Sequence, residues 1–276
     1  MLKLMYITNS PAVARIAENA GVERIFIDME YIGKSIRQGG MDTVQSHHTP
    51  DDIRAVKAVL TKSKIMARCN PIHEKTEEYA SSKEEIDAAI EAGADILMLP
   101  YFKTAGEVRE FVKLVGGRAK TLPLVETPEA VSCIDEILEI DGIDEIFVGL
   151  NDLSLGYGMK FMFELLADGT VDMLCNKFKA KGIPYGFGGL ASLDGGLLPG
   201  HMVLTEHYRL GSTCVIISRS FCNVSKCADF AEVERIFTHG INKIREYEKS
   251  LSGFLLFEEN KRAVKVAVKE ILEKIG

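Results

Sequence analysis

The chain has 276 residues, 46 % apolar and 26 % charged, a soluble globular balance that excludes a disordered or membrane-embedded class. Its formal net charge of −7, from 40 acidic and 33 basic residues, argues against nucleic acid as a partner, since neutralising phosphates supplies most of that affinity. The length suits one α/β barrel, which typically takes about 250 residues, and a core of that size folds without a disulfide or metal staple.

At the N-terminus, MLKLMYITNSP holds an apolar run too short for a signal-peptide core, and no run reaches membrane-spanning length, so the cytoplasm is the expected location. Short apolar runs then recur at 2–7, 24–30, 64–69, 95–100, 122–126, 145–150, 185–190 and 213–218. Nearly every position in them is Ile, Val, Leu, Phe or Met, as in strands buried on both faces of a parallel sheet. Amphipathic stretches separate them. Ser10-Pro11 and Thr127-Pro128 each supply an N-cap and a proline at the first helical position. Ser82 followed by Glu85 reads as a capping box, and Ala20-Gly21 and Ala92-Gly93 read as C-terminal stops. Eight strand–helix alternations predict closure into a (β/α)8 TIM barrel.

Two segments exceed the minimal barrel. Residues 31–49 form a long polar loop with Lys34, Arg37, Gln38, Gly39, Gly40, His47 and His48, a length that in compact domains usually marks function. Residues 254–276 repeat apolar side chains at Val264, Val268, Ile271, Leu272 and Ile275, a helical stripe that docks on its own barrel or on another subunit. The expected organisation is a catalytic barrel over 1–250 and a helical extension over 251–276, a candidate oligomer contact. The six cysteines show no zinc or redox spacing and read as small hydrophobes. The glycines at 186–189 lack a nucleotide-loop spacing, and no GxSxG or HExxH motif is present.

In such barrels the chemistry sits at the C-terminal strand ends. Those positions hold Asp28, Glu30, Arg68, Pro100, Glu126, Asn151, Asp152, Gly188, Gly189 and Arg219. Glu126 and Asp152 end sequential strands, and neighbouring carboxylates repel unless they share a proton or a cation. A hard divalent ion suits them, because Mg²⁺ takes one or two carboxylates and leaves positions for substrate oxygens. Asp152 could instead cap the helix that follows. Arg68, a strand arginine, matches a carboxylate and could stabilise enolate charge beside a metal, or form a salt bridge with Asp28 or Glu30. Asp28 and Glu30 share one strand face and either hold Arg68 or orient metal-bound water. Asn151 and Pro100 flank these groups as candidate substrate contacts. His47 or His48 could deliver a base from the loop, whereas His73, His201, His207 and His239 read as structural or exposed.

The runs FIDMEY, MARCNP, ADILMLPYFKTAGEVREF, PLVETPEAV and DEIFVGLNDLSLGYG closely resemble the HpcH/HpaI aldolase/citrate lyase family of the phosphoenolpyruvate/pyruvate-binding barrels. The resemblance implies a lyase or class II aldolase dependent on a divalent metal, Mg²⁺ or Mn²⁺, that works on a small oxo acid through a pyruvate enolate. It implies Glu126 and Asp152 as metal ligands, Arg68 as the substrate arginine and Asp28 and Glu30 as the acidic pair, in a homo-oligomer. The alternatives are a CoA-thioester lyase of the citryl or malyl type, and an altered barrel that binds an anionic ligand without catalysis. One departure stands out: the family's pyruvate aldolases usually carry histidine directly after the acidic pair, and here that position is Tyr31, a poor base at neutral pH. His47 or His48 from the loop, or a metal-bound water, would then carry the proton, or the reaction differs, and Lys34 and Arg37 hint at an anionic substrate.

Overall fold

Side chains two apart along a strand share a face, and here one set of alternate positions, including Met5, Phe26, Met66, Leu122 and Phe147, packs together as a barrel interior. The intervening positions, such as Leu4, Ile25, Ala67 and Val148, join the larger core beneath the helices. The computed structural model describes residues 1–34 and 46–275. Its strands are β1 (Lys3–Ile7), β2 (Arg24–Asp28), β3 (Lys64–Arg68), β4 (Ile96–Leu99), β5 (Lys120–Val125), β6 (Ile146–Val148), β7 (Tyr185–Leu190) and β8 (Cys214–Ile217). They run parallel and close in chain order, with β8 pairing β1 through Lys3 and Cys214. The chain is the expected TIM barrel.

Among the described residues the α-helices are α1 (Pro11–Ala20), α2 (Pro50–Lys57), α3 (Ser82–Ala92), α4 (Ala105–Val115), α5 (Pro128–Ser132), α6 (Ile134–Ile137), α7 (Leu150–Gly156), α8 (Glu164–Ala167), α9 (Thr170–Lys181), α10 (Gly200–Leu210), α11 (Phe230–Ser250) and α12 (Phe254–Ile275). Ser10 and Thr127 cap α1 and α5 as expected. The capping box of α3 differs: it is Ser81 with Glu84, one residue early. Ser82 instead accepts from the His73 backbone N–H, and Glu85 turns to Asn70. The sixth apolar run also divides, because β6 stops at Val148 and Gly149 caps α7.

Helix α12 docks on its own barrel. Val264, Val268 and Ile271 are buried, and the helix packs against α8 and α10. Polar contacts fix its register: Asn260 Nδ2 donates to Glu206 Oε1 at 2.8 Å, and Lys261 Nζ meets Asp172 at 2.8 Å. Among the described residues no helix is long and apolar enough to cross a membrane.

Candidate active site

Asp28, the last residue of β2, and Glu30, two residues beyond it, are both buried, with Asp28 paired to Arg68 at the end of β3. Arg68 Nε and Nη2 grip the two oxygens of Asp28 at 2.8 and 2.7 Å, and Nε lies 3.3 Å from Glu30 Oε2. Lys34, also buried, reaches Asp28 Oδ2 at 2.7 Å and Glu30 Oε2 at 3.6 Å. Burial alone would raise the Asp28 carboxyl, but Arg68 and Lys34 hold it well below the usual carboxylate range. Arg68 is correspondingly locked in its charged form and in one orientation.

Across the mouth, Glu126 follows β5 and is buried. Its Oε1 accepts the Tyr101 backbone N–H at 2.9 Å, delivered by a residue held at φ 48°, a left-handed conformation that costs a tyrosine energy. Gly149 leaves the space that Glu126 occupies, since a Cβ there would stand 2.7 Å from Glu126 Oε2. Asp152 lies in the first turn of α7, where a carboxylate suits the helix dipole, and Asn151 Nδ2 donates to its Oδ1 at 3.2 Å. Burial, reinforced by the Glu30 and Asp152 charges, pushes the Glu126 carboxyl up to about 8.

Two cavities meet at these carboxylates, and Glu126 and Asp152 line both. The inner one, about 260 Å³, opens over the barrel interior between Arg68, Asn151, Ser218 and Arg219, with Met98, Leu124, Phe147 and Ile216 as apolar walls. The outer one, about 460 Å³, runs past Tyr101, Lys103 and Glu129 toward α7. Among the described residues no group of three or more His, Cys, Asp or Glu side chains forms a metal cage. Two carboxylates sharing a cavity are nonetheless a donor set that fits a hard divalent ion completed by water and substrate oxygens.

The structure thus brings Asp28, Glu30, Arg68, Glu126, Asn151 and Asp152 to one mouth. Three expectations change. Asp152 stands on a helix rather than a strand end, because the apolar run continues through Leu150 into α7. Pro100 is buried outside both cavity linings, and the next residue, Tyr101, supplies the site contact instead. His48 lies outside the two linings as well: its Nδ1 accepts the Asp28 backbone N–H at 3.0 Å, which commits that nitrogen to holding β2. Burial lowers the His48 pKa. Tyr31, in the position where a family histidine is usual, is 41 % exposed and rests against Tyr79. Its hydroxyl pKa is raised by burial and by Glu85. Arg37 and the glycines beside it lie outside the described residues. Sequence reasoning missed Tyr101 and Gly149, which act through a backbone N–H and an absent Cβ, and read Lys34 as a hint of an anionic substrate where it pairs with Asp28 and Glu30.

A model of the HpcH/HpaI aldolase/citrate lyase family matches residues 3–164, more than half of the chain. A protein named hydroxypyruvate/pyruvate aldolase from Roseovarius nubinhibens is 24 % identical, the alignment covering 46 % of this chain and 61 % of that one. Its namesake from Sagittula stellata is 30 % identical over 41 % of this chain and 56 % of that one. The chain therefore spans less than two thirds of the length of these relatives. Among solved structures, a HpcH/HpaI aldolase/citrate lyase family protein from Burkholderia cenocepacia superposes with a TM-score of 0.61 at 16 % identity. That match covers 88 % of this chain and 94 % of the other and bears on the fold alone. With barrel, site and family match in agreement, the chain belongs to the HpcH/HpaI aldolase/citrate lyase family.

Proposed function

We propose that the chain is a divalent-metal-dependent carbon–carbon lyase of the class II aldolase type, forming or cleaving a 2-oxo-4-hydroxy acid through a pyruvate enolate. The charge balance at the C-terminal mouth carries this reading. Four buried carboxylates, Asp28, Glu30, Glu126 and Asp152, face two enclosed cations, Lys34 and Arg68. With all four ionised these groups fall short by two positive charges, the charge of one divalent ion; burial first, and then the Glu30 and Asp152 charges, push the Glu126 carboxyl up to about 8. The two relatives named hydroxypyruvate/pyruvate aldolases support a pyruvate-type oxo acid as a substrate.

In this reading Glu126 and Asp152 would hold Mg²⁺ or Mn²⁺. The ion, when bound, supplies Lewis-acid polarisation of a keto oxygen. The remaining work falls to the chain itself. Arg68, fixed by its two-point grip on Asp28, presents a preorganised positive charge to the inner cavity, where enolate charge develops. The Tyr101 N–H orients Glu126. Asn151 and Arg219 line the same cavity and would take the carboxylate of an oxo acid. The apolar walls exclude water and strengthen every charge interaction inside.

The test is deuterium exchange into the methyl group of pyruvate, followed by NMR with and without Mg²⁺ or Mn²⁺. Metal-dependent exchange in the wild type, lost in Glu126→Gln together with metal binding, supports the assignment. Exchange that is absent with either metal, or equal in both proteins, would overturn it.

A further inference from the structure

The alternation that sends Asp28, Arg68 and Glu126 to one mouth has a counterpart at the opposite end. Lys3, Arg24, Lys64 and Lys120 each begin a strand, and each stands two residues before an interior side chain: Met5, Phe26, Met66 and Leu122. Side-chain period two therefore gathers four cations at the N-terminal mouth. Lys62, in the turn before β3, joins them around a cavity of about 420 Å³.

The carboxylates near this cavity are already committed. Glu23 accepts the Leu4 backbone N–H and pairs with Arg245, both at 2.7 Å. Asp95 accepts the Ile65 N–H and meets Lys57, both at 2.9 Å, with Lys64 at 3.3 Å. Glu145 is taken by Arg24 at 2.6 Å, with Lys120 more distant at 3.9 Å. Among the described residues Lys3 and Lys62 have no ion-pair partner. Five cations and two spoken-for carboxylates line the cavity of a protein whose net charge is −7. Arg24 is itself buried at the floor, fixed by Glu145, so part of the charge is preorganised rather than carried on free side chains.

We infer that the N-terminal mouth is a binding site for a small polyanion carrying a diphosphate group, separate from the carboxylate-rich mouth at the other end of the barrel. A cavity of this volume is in the range that encloses small ligands. Cations drawn from four strand starts and a turn suit an anion with several oxygens spread over two phosphates better than one with a single phosphate.

The experiment is calorimetric titration of the full chain with inorganic pyrophosphate, in EDTA to remove metal, beside titrations with ADP and with orthophosphate. Expected are saturable 1:1 binding of pyrophosphate, affinity that falls with added salt, and binding at least about tenfold weaker for orthophosphate. Lys62→Glu/Lys120→Glu, verified as folded by circular dichroism, weakens pyrophosphate by about tenfold or more, whereas Arg219→Ala at the opposite mouth leaves it unchanged. ADP binding as tightly as pyrophosphate identifies a nucleotide as the source of the diphosphate; ADP binding far more weakly identifies the free anion. No saturable heat, or binding that survives in the lysine variant and disappears in Arg219→Ala, overturns the site.

Discussion

Beyond the interior layer at the C-terminal mouth come Asp28, Arg68 and Glu126; before the same layer, at the N-terminal mouth, come Lys3, Arg24, Lys64, Lys120 and Glu145. One end has more carboxylates than cations, the other more cations than carboxylates. Each end nonetheless contains a buried arginine–carboxylate contact: Arg68 with Asp28 above, Arg24 with Glu145 below. The difference lies in what surrounds the pair. Above, the arginine is shared by Asp28 and Glu30, and the remaining charge opens onto two cavities. Below, Glu145 is shared by Arg24 and Lys120, and its Oε2 is buried with no hydrogen-bond partner among the described residues. One packing rule thus gathers carboxylates at one end of the barrel and cations at the other.

The largest expected effect separates charge from geometry at the upper end. Arg68→Lys retains the positive charge but loses the two-point grip on Asp28. Pyruvate exchange is expected to fall by roughly 100- to 1,000-fold, with metal affinity changed by less than about threefold. Equal losses in both would mean that Arg68 serves only to neutralise the carboxylates. Below, Arg24→Met leaves Glu145 buried without its cation and is expected to cost about 3–5 kcal/mol of stability in urea unfolding. Adding Glu145→Leu is expected to restore most of it, because a buried pair replaced by apolar groups is often neutral. If the single variant lost less than about 1 kcal/mol, the floor would not depend on this pair.

Gly149→Ala probes the upper mouth without altering charge. Its Cβ would approach Glu126 Oε2 at 2.7 Å and Glu126 Cβ at 2.9 Å, so the carboxylate must shift. We expect about 1–3 kcal/mol of destabilisation and weaker metal binding by calorimetry. Unaltered metal binding would place the ion away from Glu126.

Most of the barrel is legible because buried parallel strands are apolar at nearly every position, and Asp28, Glu30, Arg68 and Glu126 are legible because each polar residue ends such a run. Asp152 is harder to place: IFVGL is apolar throughout, yet Ile146–Val148 is strand and Leu150 begins a helix, a division that periodicity does not resolve. Tyr101 gives no sign of its positive φ, since tyrosine does not favour that conformation. The position of His48 depends on the path of a long loop. The sequence Ser81-Ser82-Lys83-Glu84-Glu85 contains two overlapping capping boxes, and only the rest of the fold selects the first.

That selection releases Glu85 for another role and leads to the smallest effect, which asks whether the carboxylate surplus extends behind the upper mouth. Glu85 Oε1 accepts from Asn70 N and Nδ2 at 3.1 and 2.9 Å, and Asn70 Oδ1 in turn accepts the N–H groups of Tyr31 and Ile32, both at 2.9 Å, where the chain leaves β2. Burial, with the Glu30 charge adding to it, outweighs these donors and pushes the Glu85 carboxyl up to about 7. A carboxyl raised on folding stabilises the protein below its unfolded pKa, near 4.3, and that contribution is lost as pH rises through about 7. Glu85→Gln keeps the Oε1 acceptor and removes the titration. Because the side chain retains some solvent contact, the wild type is expected to lose roughly 1–2 kcal/mol relative to the variant between about pH 4 and pH 8 in urea melts. Parallel stability profiles would confine the surplus to the four carboxylates of the mouth itself.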